Sequence, residues 1–205
     1  MGLQPAEPGR SGGGPVMTGR KQIISGITRL ARFDARGMAC FPGTKDGFLA
    51  SLAPWVAITL VGAALSWLHD GAIVAARELL LAAVLLLAPP VITHVFAQMW
   101  QRGANWLRYS TAFNWCQWAL PVAASIWLIL VRGSMAAGLP DPIAGVIAVG
   151  GVLSYALALH WFVVRHGLGV SVWRSLAVVV LTNMGTALLV LLPRLAVVLS
   201  GLEPT

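Results

Sequence analysis

Five apolar runs, each of about 20 residues or more, limit what this chain can become. They cover residues 48–68, 79–100, 111–131, 143–164 and 175–199. At about 1.5 Å per helical residue, each reaches across a hydrocarbon core of about 30 Å. Inside lipid every backbone N–H and C=O must be bonded within the protein, which leaves helices or closed barrels. None of the runs shows the two-residue alternation of a barrel strand. The expected fold class is all-α: a polytopic membrane protein, a bundle of five transmembrane helices with an N-terminal disordered tail and a short amphipathic helix. Composition agrees, since 58% of the 205 residues are hydrophobic and 10% are charged. A soluble domain carries about 25% charged residues. The fifth run has two readings. Its helix stops near Leu192, before Pro193 and Arg194, or it continues to residue 199.

The region before the first run divides in two. Residues 1–17 are rich in Gly, Pro and Ser and read as a disordered tail. Residues 18–47 read as a basic interfacial segment that ends in the turn "FPGTKDG". Within it Ile23, Ile27, Leu30 and Ala31 recur at helical spacing, flanked by Lys21, Arg29, Arg32 and Arg36. One reading is an amphipathic helix lying on an anionic membrane surface. The other is a solvated basic tail that only enforces orientation. Gly26 counts against a helix. The opening residues lack the apolar core of a signal peptide, and "MGLQPA" lacks the Ser or Thr of a myristoylation signal. Cys40 and Cys116 fall in a polar and an apolar stretch and are not expected to pair.

The formal net charge is +7, and its placement gives it meaning. With five spans, eleven of the 14 basic residues fall on one side: Arg10, Arg20, Lys21, Arg29, Arg32, Arg36, Lys45, Arg102, Arg108, Arg165 and Arg174. Arg77, Arg132 and Arg194 fall on the other. The positive-inside rule then places the N-terminus in the cytoplasm and the C-terminus outside, as in a multi-pass inner (plasma) membrane protein. This asymmetry also explains the basic charge without nucleic acid, which is not expected as a partner. Anionic lipid at the N-terminal segment is expected, together with a membrane-protein partner or a second copy of the chain. Trp100, Trp106, Trp161 and Trp173 flank the basic ends of the spans like an aromatic belt.

Polar residues inside the runs gather near that basic side. His94 and His160 precede the ends of the second and fourth spans, and Asn114 and Gln117 open the third. Asn183 lies nine residues past Arg174, about 13 Å along a straight helix. These five form the candidate polar cluster. Pro121 cannot donate to the Gln117 carbonyl, which is expected to be free, and Pro89–Pro90 likewise release the carbonyls of Leu85 and Leu86. The amides are expected to face the bundle interior and bond to His94, His160 or Asn183, while Trp115 and Trp118 turn toward the interface. Two uses are open: hydrogen-bonded glue between helices, or a small polar cavity that binds a ligand, ion or head group. Gly150, Ser154 and Ala158 form a small-residue stripe read as a packing face on the fourth span.

No catalytic motif is present: no GxSxG, no HExxH, no glycine-rich phosphate loop and no carboxylate pair. The chain is therefore read as no enzyme, without a metal or cofactor. Two functional readings remain: a non-enzymatic organiser of partners or lipids, and a small permease or channel subunit. Three stretches, "GTKDGFLASLAP", "FNWCQWALP" and "VVRHGLGVSVWRSLAVVVLTNM", resemble the small bacterial Yip1-like five-span membrane proteins over residues 40–195. The resemblance implies a cytoplasmic N-terminal segment, five spans and an external C-terminus. Eukaryotic relatives are associated with vesicle trafficking and small GTPase partners, and no catalytic residues come with the family.

Overall fold

The computed structural model describes residues 19–199, with side chains described to residue 192. The tail read over residues 1–17 lies outside the described residues. The chain forms α1 (Gly19–Ala31), a 3-10 segment (Ala35–Cys40), α2 (Lys45–Asp70), α3 (Ala72–Met99), α4 (Gly103–Cys116), α5 (Ala119–Ala136), α6 (Asp141–Leu168) and α7 (Val172–Leu199). No strand occurs among the described residues. Five helical stretches are long and apolar enough to cross a membrane: α2, α3, α4 with α5, α6 and α7. The protein is a multi-pass membrane protein of the expected class. In the fifth span the helix continues through Pro193 to Leu199.

The third span departs from its expected bounds of 111–131. Its helices run from Gly103 to Ala136, 34 residues, more than the roughly 20 that a bilayer needs. The extra length is α4, which carries Asn105, Arg108, Ser110 and Thr111 and reads as too polar for a span. Tyr109, Ser110, Thr111, Ala112, Asn114 and Cys116 are nevertheless all buried, because protein rather than lipid surrounds the helix. Helix α4 touches α1, α2, α3 and α6, while the outer helices adjoin one another in the order α2, α3, α7, α6, α5.

The largest correction concerns α1. Its apolar face does not lie free for a membrane surface. Leu30 is fully buried, and Ile23 and Ile27 pack against the same core. The chain then reverses. Phe33 takes the left-handed conformation, φ 58°, a position that usually favours glycine. Its ring meets the edges of Tyr155 at 6.0 Å and Phe162 at 5.4 Å, contacts that offset the backbone cost. Asp34 caps the 3-10 segment by accepting from the Arg36 backbone N–H. The Arg36 guanidinium beside it, 2.9 Å away, holds the Asp34 carboxyl below the usual carboxylate range. The 3-10 segment seats Met38, and Phe41 follows it inward; both are buried. Gly26 is the contact point rather than a weakness, because a Cβ there would meet the Phe41 ring and the Cys40 Cβ at 2.8 Å. The Tyr155 hydroxyl donates to the Ala31 carbonyl at 2.9 Å and ties α1 to α6.

These residues belong to one core with Tyr109, Ala112, Cys116, Val163, Val164 and Leu168. That core lies at the basic end. The reason is physical: lipid tails are as apolar as leucine, so burial between spans gains little hydrophobic free energy. Where α1 and the 3-10 segment leave the apolar runs, water is the competing solvent. There each buried Leu, Met or Phe contributes about 1.5–3 kcal/mol.

The small-residue stripe is also corrected. Gly150 and Ser154 are exposed and only Ala158 is partly covered. The face that meets α5 is one residue on, at Gly151, where the Trp127 indole leaves no room for a Cβ. Trp127 Nε1 donates to the Ile147 carbonyl at 3.1 Å.

Candidate functional site

The α4–α5 junction is built by local chemistry. Pro121 cannot donate to the Gln117 carbonyl. The chain responds by tightening, and the Leu120 N–H donates to that carbonyl at 3.2 Å instead. The carbonyl expected to be free is therefore occupied, and the helix breaks at Gln117–Trp118. In α3, Thr93 Oγ1 donates to the carbonyls of Pro89 at 2.8 Å and Pro90 at 3.1 Å. Trp106 Nε1 donates to the Pro90 carbonyl at 3.2 Å, which turns this indole inward rather than into an interfacial belt.

The five candidate residues do not form one cluster. Asn114 is buried, 4% exposed, and donates to Ser51 Oγ of α2 at 3.0 Å, not to any of the three expected partners. Ser51 is fully buried and donates in turn to the Phe48 carbonyl at 2.6 Å. Ser51 was missed because a lone serine in an apolar helix reads as neutral. A partner 63 residues away leaves no local signal. His160 and Asn183 form a second pair, Nδ2 to Nδ1 at 3.3 Å, and Asn183 also donates to the Val179 carbonyl at 2.8 Å. His94 stands apart. It is exposed and packs edge-on against Trp106 at 4.6 Å.

Gln117 lies between the two pairs. On one side is a gap of about 10 Å³ lined by Gln117, Phe113, Cys116 and His160. That is about the space one water needs. His160 Nε2 is buried and has no partner among the described residues. On the other side is a cavity of 350 Å³ bordered by Trp55 and Thr59 of α2, Leu85 and Pro89 of α3, and Asn114 and Gln117. Leu85 and Leu86 border it too, and their carbonyls lose helical donors to Pro89 and Pro90. Trp118 does not reach the interface: it stacks on Trp55 at 4.8 Å, and its indole N–H is buried without a partner among the described residues.

The basic end surrounds this region. Among the described residues, ten Lys and Arg face two acids there, Asp34 and Asp46. The opposite end has Arg77 and Arg132 against Asp70, Glu78 and Asp141. Arg36–Asp34 is the one ion pair among the described residues. Two arginines lie over indoles instead, Arg165 on Trp161 at 5.4 Å and Arg174 on Trp100 at 5.5 Å. Trp173 is 80% exposed beside them. Among the described residues, no group of three His, Cys, Asp or Glu comes together as a metal site would require. Comparison with family models, with characterised proteins and with solved structures finds no match.

Proposed function

We propose that this protein is a non-enzymatic inner-membrane protein that holds anionic lipid against a preformed basic end, with that end and the N-terminus in the cytoplasm. One observation carries the reading: ten basic side chains against two acidic ones, set on a packed core instead of a loose tail. A docked α1 holds Arg20, Lys21, Arg29 and Arg32 in fixed positions, all exposed. Each such charge near an anionic surface contributes about 1 kcal/mol. The resemblance to Yip1-like proteins fits the same architecture and extends the proposal to a membrane-protein partner or a second copy.

Protein extracted in mild detergent should carry phosphatidylglycerol or cardiolipin well above its share of the source membrane. The triple variant Lys21→Gln, Arg29→Gln, Arg32→Gln should lose most of that enrichment, with the Arg36–Asp34 pair left intact. Equal lipid ratios in protein-bound and bulk fractions would contradict the reading. For orientation, a periplasm-dependent phosphatase fused after Thr205 should be active and one fused before Met1 inactive. Activity at both ends would overturn the five-span orientation.

A small permease or channel subunit is the second reading, favoured by the cavity beside Gln117. Its lining carries no charged side chain. An ion would lose its hydration there without a compensating charge, so transport of ions is the weaker use.

A further inference from the structure

We propose that the 350 Å³ cavity between α2, α3 and the α4–α5 break is a binding site for one neutral lipid, a chain whose hydroxyl or carbonyl head meets Gln117 and Asn114. The site is distinct from the basic rim and does not depend on it.

Size comes first. A volume of 350 Å³ falls within the range of about 300–1,000 Å³ typical of small-molecule sites. Most of the wall is apolar, from Ile58, Leu85 and Leu86 among others, and suits a hydrocarbon chain. Two amides stand at one end. Among the described residues the Gln117 side chain has no hydrogen-bond partner, although it is half-buried. Asn114 uses its amide nitrogen on Ser51, leaving its carbonyl oxygen for a ligand hydroxyl. Free amide groups in a low-dielectric cavity favour any ligand that pairs them, because an unpaired polar group there costs free energy.

Depth sets the route. Asn114 lies six residues past Arg108, about 9 Å along the helix and beneath the basic ring. On the basic side the way is narrowed by Phe48, 5.4 Å from Trp106, and by the Asn114–Ser51 bond. On the lipid side Ile58 is 54% and Leu85 49% exposed, so the flank between α2 and α3 faces the bilayer. A ligand arriving this way is already dissolved in the membrane. Lacking a charged partner in the cavity, its head must be neutral. A fatty acid anion or a phospholipid head group does not meet these conditions, whereas a monoacylglycerol does.

The test uses full-length protein in phosphatidylcholine liposomes with a diazirine-bearing monoacylglycerol. After illumination, label should concentrate on peptides around residues 52–60 and 82–90, and excess unlabelled monoacylglycerol should displace it. Ala82→Phe, which fills the cavity, and Gln117→Leu, which removes the free amide, should each cut this labelling about tenfold. A diazirine fatty acid at a pH where it is ionised should not concentrate on these cavity peptides, whatever it labels at the basic end. Neutral liposomes separate this test from the anionic-lipid reading, whose failure leaves the result unchanged. If Ala82→Phe does not fold, Gln117→Leu carries the comparison alone. Label spread evenly over all lipid-facing helices, insensitivity to Gln117→Leu, or equal capture of the fatty acid would each overturn the proposal.

Discussion

Replacing Gly26 with leucine is expected to unseat α1 from the bundle. A Cβ at this position already comes within 2.8 Å of the Phe41 ring and the Cys40 Cβ. Phe41 is 2% exposed and cannot swing away without opening the core beneath it. Overpacking a filled site costs about 1–3 kcal/mol, and a whole leucine falls at the upper end or beyond. Two readouts follow. Trypsin should cut after Arg29 and Arg32 much faster, and maleimide should reach Cys40 at least tenfold faster, the equivalent of about 1.4 kcal/mol. Gly62→Leu is the control, since nothing lies within 4 Å of that position. Equal behaviour of the two variants would mean that α1 does not pack as described.

Tyr109→Ala is expected to destabilise the protein by about 3–5 kcal/mol, the range for truncating a buried aromatic. The ring is 1% exposed, stacks near Phe113 at 6.0 Å, and closes against Gly167, where an added Cβ would meet Tyr109 at 3.0 Å. The hydroxyl is buried without a hydrogen-bond partner among the described residues. Tyr109→Phe should therefore be neutral or stabilising, which separates loss of packing from loss of a polar group. Ile129→Ala, on a side chain 68% exposed toward lipid, should cost under about 1 kcal/mol. Thermal unfolding in one detergent measures all three. A Tyr109→Phe loss comparable with Tyr109→Ala would show that the hydroxyl is bonded and would move the argument from packing to hydrogen bonding.

What could be read from the amino-acid order follows from which solvent acts where. The five spans were legible because hydrocarbon imposes one rule on every residue of a run. The start of the third was not, because α4 breaks that rule: Ser110, Thr111 and Asn114 are buried in a helix that packs against α1, α2, α3 and α6, while Arg108 stays exposed. The periodicity of Ile23, Ile27 and Leu30 declared an apolar face but not what covers it. Only tertiary contact distinguishes a lipid surface from the buried core that Leu30 joins and that Ile23 and Ile27 pack against. Small-residue spacing misled at α6: the four-residue pattern picks out Gly150, Ser154 and Ala158, whereas the glycine covered by the Trp127 ring is Gly151, whose neighbours at that spacing are Ile147 and Tyr155.

The polar residues show the same limit. Distance along each helix from the basic end was readable by counting from the nearest arginine. Rotation about the helix axis was not. His94 on α3 is exposed, while His160 on α6 is buried, 9% exposed. Pro121 marked the Gln117 carbonyl as lacking its helical donor, but the Leu120 N–H that occupies it instead, and the break that follows, are matters of backbone geometry.

The packing of α1 makes the basic N-terminal segment part of the folded core, which is expected to form without a membrane surface. Hydrogen–deuterium exchange of the full chain in nanodiscs tests it most directly. Slow exchange is expected for the backbone amides of Gly26–Ala31 and Gly37–Met38, equally slow in phosphatidylcholine discs and in discs rich in phosphatidylglycerol. Protection that appears only with the anionic lipid, or that is absent in both, would contradict it.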